Sequence, residues 1–172
     1  MPVSTSITCP AAEGCIEACE RALEAAAHLG PMPEVYAAVG PHLRHCIDHF
    51  TCFFRGIDTG TIDYDARDRE PALETNPAVF RAAVDTVIKR LRKLDGHTAS
   101  SRVRVCQIPA TGRDAVVVES TLDRELLFLS GHTIHHLAII GELAQSLGVA
   151  IPRRLGVAYS TAAHRTELDS AK

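Results

Sequence analysis

His132 and His136 stand four residues apart in SGHTIHHLAIIGELAQSLGV, residues 130–149, an interval that puts two imidazoles on one side of a helix. At about 100° per residue they differ by about 40° around the axis, with Cβ atoms about 6 Å apart, so both rings can reach one point. Neutral imidazole is a common ligand for zinc, nickel, iron and manganese, so the pair is half of a metal site. His135 lies roughly 60° to the other side of His132 and is the weaker ligand. A second column, His42, His45 and His49 in HLRHCIDHF, covers about 60° of arc at steps of three and four. If the two helices face each other, any one of these three can supply the third nitrogen, which leaves coordination positions open to water or substrate.

A single histidine on an apolar face is ordinarily satisfied by a backbone carbonyl or a hydroxyl. Six on two faces are harder to satisfy, because each unsatisfied buried polar group costs about 1–3 kcal/mol. A shared metal ion resolves that cost. The motifs of other metal chemistries are missing. No Glu precedes a bundle histidine by three residues, as a di-iron carboxylate bundle requires, and HTIHH lacks the Glu of H-E-x-x-H. One ion on three histidines remains.

The helices that must hold these columns can be read from apolar spacing. Residues 10–29, PAAEGCIEACERALEAAAHL, combine strong helix formers with apolar recurrence at three and four and stop at Gly30. A second helix is expected from about Pro41 to Gly56, with Leu43, Ile47, Phe50 and Phe54 as its apolar column and Arg44, Asp48, Thr51 and Arg55 as its polar face. The polar stretch 56–76 reads as a long loop. Asn76 followed by Pro77 signals the start of a third helix that closes at Gly96. SRVRVCQIP and DAVVVES around ATGRD suggest a small hairpin. The last helix then runs from Ser120, as its N-cap, to Gly148, with Leu129, His132, His136, Ile140, Leu143 and Leu147 along the bundle seam. Residues 149–172, with Pro152 and Gly156, read as an irregular tail. The expected fold is all-α: one domain over residues 1–172, an antiparallel four-helix bundle over about 10–148, with a possible β-hairpin before the last helix.

Composition narrows the function classes. The 172 residues are 46% hydrophobic and 23% charged, with a formal net charge of −3, an ordinary balance for a soluble globular protein. The longest basic run, KRLRK at 89–93, falls on an amphipathic helix and reads as a solvated face, so nucleic acid is not an expected partner. The N-terminus lacks the basic start and apolar core of a signal peptide, and no apolar run approaches membrane-spanning length, so a cytoplasmic location without membrane contact is expected. The six cysteines form no C-x-x-C pair and read as reduced structural thiols.

With His132, His136 and Gly148 at this spacing, the chain resembles the DinB-like family, also called YfiT-like metal-dependent hydrolases, which are four-helix bundles with a three-histidine metal site. The family's last bundle helix carries two histidines four apart, the second about twelve residues before a glycine. The Arg-Gly-Gln that often follows the second histidine is replaced here by Leu137, Ala138 and Ile139. The family's first ligand lies on the second helix, where VGPHLRHCIDHF matches best with His45 in that role, His49 next and His42 third. The resemblance implies one divalent ion on His45, His132 and His136, a homodimer, and relatives that include metal-dependent transferases of low-molecular-weight thiols.

In thiol transfer, the metal lowers the pKa of a bound thiol, and the thiolate attacks an electrophilic small-molecule substrate. Asp48 is placed to orient a ligand ring, and Arg67 and Arg69 to receive a carboxylate of substrate or thiol cofactor. The two arginines have a plainer alternative in surface pairs with Asp63, Asp65 or Glu70, and Tyr64 is a similar case. A hydrolase would use the same ion to generate hydroxide, with His49 or His42 moving the proton. In a third reading the bundle is a non-catalytic metal-binding or partner-docking module, its ion closed by a fourth ligand such as His42, His49 or His164.

Overall fold

The computed structural model describes residues 9–95, 101–152 and 154–170. Most of the chain is helical. In chain order the elements are α1 (Pro10–Leu29), α2 (Pro33–Thr59), β1 (Thr61–Asp63), α3 (Pro71–Thr75), α4 (Pro77–Leu91), β2 (Arg102–Gln107), β3 (Val116–Thr121), α5 (Leu122–Ser146) and α6 (Tyr159–Ser170). α1 packs against α5, α4 and α2, and α2 packs in turn on α5 and α4. The face of α1 that enters this core is made of small residues, Ala18, Cys19, Ala22, Ala25 and Ala26, which lets the neighbouring helices approach closely. α2 contributes the aromatic mass, Phe50, Phe53 and Phe54.

Several expected boundaries move. α2 starts at Pro33 and runs through Pro41, eight residues earlier than the proline signal suggested. An interior proline costs a helix about 3 kcal/mol, but Val35, Tyr36, Val39 and Leu43 continue the apolar stripe across it and are all buried. Burying such side chains returns about 1.5–3 kcal/mol each, which outweighs the break. α4 takes Asn76 as its N-cap, the side chain accepting from the amides of Ala78 and Val79, as expected. It ends at Leu91 rather than at Gly96, which lies outside the described residues. The cap of α5 is Thr121, whose hydroxyl accepts from the Arg124 amide, and Ser120 is left to bond elsewhere.

The all-α expectation needs correction. The hairpin forms as β2 and β3, paired antiparallel, and the supposed loop after α2 supplies a third strand, β1, parallel to β2. Strand β1 is only three residues long, too short to show an alternating pattern. The same segment folds α3. The tail is not irregular either: α6 forms, and Tyr159 donates to the Gly14 carbonyl while Arg21 donates to the carbonyls of Arg154 and Val157. α5 is long and apolar enough to cross a membrane by length and composition, contrary to expectation. Its stripe of Leu122, Leu126, Leu129, Leu137 and Ile140 is buried within the protein.

Two glycines differ sharply in the room around them. A Cβ on Gly40 in α2 would collide with the backbone carbonyl of Glu74 at the end of α3, whereas one on Gly131 in α5 would meet nothing within 4 Å. Gly40→Ala is expected to lower stability by about 1–3 kcal/mol through overpacking, and Gly131→Ala to raise it by about 0.5–1 kcal/mol through helix propensity. Urea unfolding of the two variants checks both signs.

Candidate metal centre

The site is built where α2 and α5 cross, each helix presenting its histidine column to the other. His45, His132 and His136 each place one ring nitrogen so that the three lie within 4.8 Å of one another. The Nε2 atoms of His45 and His132 are 3.0 Å apart, close to the separation of two nitrogens bound at about 2.0–2.1 Å to one ion. The rings are half-buried. His132 and His136 do not occupy the innermost seam as the spacing suggested. That place belongs to Leu126, Leu129, Thr133, Leu137, Ile140 and Ala144, and the two histidines sit on its flank. Among the described residues, no further His, Cys, Asp or Glu donor joins the three, and His164 lies exposed on α6.

The other helix-two histidines surround the three. His42 Nδ1 is 3.0 Å from His136 Nδ1, so one of these nitrogens carries the shared proton. If His136 binds an ion through Nε2, its Nδ1–H donates to His42, the usual way a ligand ring is oriented from behind. His49 is 7% exposed, and its Nδ1–H donates to the His45 carbonyl at 2.9 Å. That bond leaves the neutral ring's lone pair on Nε2. The His49 ring lies 4.4 Å from the His132 ring and stacks on Tyr64 at 5.4 Å between centroids.

Burial, then repulsion from neighbouring rings, holds His45 and His132 down to about 3 and His136 to about 4. Burial also lowers His42 and His49. All five rings are therefore neutral near pH 7 and keep a lone pair.

The loop between β1 and α3 brings Arg67 to this cluster. Its Nη1 lies 2.7 Å from His45 Nδ1. Arginine always donates, so His45 Nδ1 accepts, its own proton sits on Nε2, and that proton points at His132. The acidic neighbours expected to pair with Arg67 are engaged elsewhere: Asp63 accepts from the amides of Asp65 and Ala66, Asp65 from the amide of Ile108, and Glu70 caps α3. Asp68, also in this loop, accepts from Arg55. Arg69 is exposed, and its guanidinium folds back to the Arg67 carbonyl. Its backbone is left-handed, with φ of 51°, an uncommon state for a residue other than glycine.

Asp48, on the expected polar face of α2, is 3% exposed, and its ion pair is with Arg44 rather than with a histidine ring. It faces Arg44 at 3.7 Å, and Glu74 holds Arg44 at 2.8 Å. Burial raises the Asp48 pKa, against the lowering pull of Arg44 and Arg67. Sequence reasoning missed Glu125, which is 1% exposed and accepts from Tyr64 at 2.9 Å, Ser120 at 2.6 Å and Arg124 at 3.0 Å. The available signal was its position on the stripe between Leu122 and Leu129, where a charge must be paired. Through Tyr64, Glu125 fixes the wall on which His49 stacks.

No protein-family model matches the chain, and no solved structure matches it. Over 107 residues, 60% of its length, the chain is 31% identical to FK506-binding protein 5 of Rhizopus delemar. The chain spans only 27% of that relative's length, so the similarity assigns no activity.

The lowered histidine pKa values set a pH dependence for the metal-free protein. Unfolded histidines titrate near 6.5, so between that value and the folded values of about 3 to 4 the unfolded chain binds more protons. The stabilisation is complete above about pH 6.5 and is lost as pH falls. Urea midpoints in the presence of chelator are expected to drop progressively from pH 7 to pH 5, and His132→Asn to flatten that drop. A midpoint constant over this range would contradict neutral, desolvated rings.

Proposed function

We propose that this protein is a DinB-like four-helix bundle that binds one divalent ion through His45, His132 and His136 and works as a metal-dependent enzyme of the thiol-transferase type. The observation that carries the reading is the convergence of three neutral imidazole nitrogens within 4.8 Å with no fourth side-chain donor among the described residues. Three protein ligands with further positions open are the pattern of a catalytic ion, whereas a structural ion is closed by a fourth. Imidazole ligands suit zinc, nickel, iron or manganese. When bound, the ion lowers the pKa of a coordinated thiol, or of water in a hydrolytic variant.

The chain's own residues supply the rest. His49, with its lone pair on Nε2, takes the proton that the bound thiol or water gives up. The stack of His49 on Tyr64, and of Phe128 on His132 at 5.3 Å, limits water on one side of the rings. His42 holds the His136 ring in place through Nδ1. Hydrolysis is the second reading, because a buried neutral base beside the ligands serves either nucleophile.

Mass-spectrometric metal content of untagged protein tests the proposal. About one ion per chain is expected in the wild type and none in the His132→Ala, His136→Ala double variant, while His49→Gln retains its ion. A wild type that carries no metal and rejects added zinc, nickel, iron and manganese would leave the rings as hydrogen-bonded residues only.

A further inference from the structure

Arg67 is a half-buried cation with no carboxylate in ion-pair contact among the described residues, and the buried Asp48 acts on it only from beyond that distance. Its Nε is buried and has no hydrogen-bond partner. The side-chain contact it does make, with His45 Nδ1 at 2.7 Å, is to a neutral ring. A buried charge held this way is poorly compensated, and the acidic residues of its own loop are bonded to other groups.

Binding of an ion alters this contact. Coordination through His45 Nε2, the nitrogen that faces His132, uses that lone pair and leaves the ring's proton on Nδ1. An N–H on Nδ1 cannot accept from Arg67, so the guanidinium loses its partner. A divalent ion held only by neutral imidazoles then lies close to a free guanidinium, and the three protein ligands supply no negative charge to either. A bound anion would supply, in direct contact, the charge that the protein places no nearer than the Asp48 carboxyl.

We propose that the ligand of this site is an oxyanion-bearing small molecule, with a carboxylate or phosphate that Arg67 grips once metal occupies His45. The inference rests on the metal reading above and adds the substrate class to it. Arginine fits the group by geometry, since its planar fork donates two parallel bonds to a carboxylate or phosphate. Metal and anion are therefore coupled: metal frees Arg67 for the anion, and by linkage the anion tightens the metal by the same factor.

The test uses cobalt(II)-loaded full-length protein, whose visible absorption reports its coordination, titrated separately with acetate, methyl phosphate and the neutral control acetamide. Wild type is compared with Arg67→Met, which keeps the stem without the charge, and Arg67→Lys, which keeps the charge without the fork. Saturable binding of acetate or methyl phosphate, but not acetamide, is expected in the wild type. The affinity should fall about tenfold or more in Arg67→Met, the effect of losing a charged hydrogen bond, and by less in Arg67→Lys. Cobalt stoichiometry should stay at one per chain in all three, which also reports that the variants are folded. The preferred anion identifies the group as carboxylate or phosphate. Equal anion affinity in wild type and Arg67→Met, with cobalt bound in both, would overturn the role of Arg67 and leave the metal reading standing. Failure of the wild type to bind cobalt would overturn both.

Discussion

The contact between α2 and α5 is the constraint on which the rest of the site depends, because it must bury imidazole rings where helix packing ordinarily buries hydrocarbon. Each ring brings two nitrogens that need partners, and the helices supply few. One backbone carbonyl takes the His49 proton, and the remaining bonds run from ring to ring and to Arg67. The apolar positions on either side, such as Leu43, Phe50, Leu129 and Ile140, are fully buried, so the polar strip cannot be relieved by a shift of either helix. Moving α5 by one turn would pair histidines with leucines and strand both.

Around that strip, a second layer of polar contacts ties the loops to the helices. Glu74 at the end of α3 holds Arg44, which faces Asp48 on α2. Arg55 on α2 donates to the Ala66 carbonyl and to Asp68, and so holds both sides of the segment that presents Arg67. On the other side, Glu125 gathers Tyr64 from the end of β1 together with Ser120 and Arg124. The small sheet thereby becomes part of the site. β1 delivers Tyr64, its parallel pairing to β2 fixes where the following loop emerges, and Asp65 bonds the amide of Ile108 just past β2. A bundle of helices alone would lack both the Tyr64 wall and the Arg67 loop.

The histidine pattern was legible because it is local. Steps of three and four on one helix determine which rings share a face whatever the helix packs against. The same holds for α1, for the core column of α2 and for the Asn76 cap. What could not be read depends on partners distant in the chain. The burial of Asp48 follows from Arg44, Glu74 and the loop closing over it, and a helix wheel sees only a charge among polar neighbours. Choosing Arg67 over Arg69 as the residue that reaches the rings depends on the left-handed turn at Arg69, which carries no glycine or asparagine to signal it. Pro41 misplaced the start of α2 because a strong local break was outweighed by burial. Spacing alone left His42, His45 and His49 open, the resemblance favoured His45, and the distances between helices group His45 with His132 and His136.

The bonding around His45 shows why the same rings serve with or without an ion. In the metal-free arrangement Arg67 Nη1 donates to Nδ1 and the proton on His45 Nε2 donates to His132, so both nitrogens of His45 are bonded. No ring needs a charge, which agrees with the low pKa values that burial imposes. His45, His132 and His136 would hold an ion, and an ion on His45 Nε2 would leave that ring's proton on Nδ1, at the expense of the contact to Arg67. Because the rings are already neutral and already converge, such binding would need little helix rearrangement. The helices supply a frame of converging nitrogens, and the loop brings the Arg67 guanidinium to its edge.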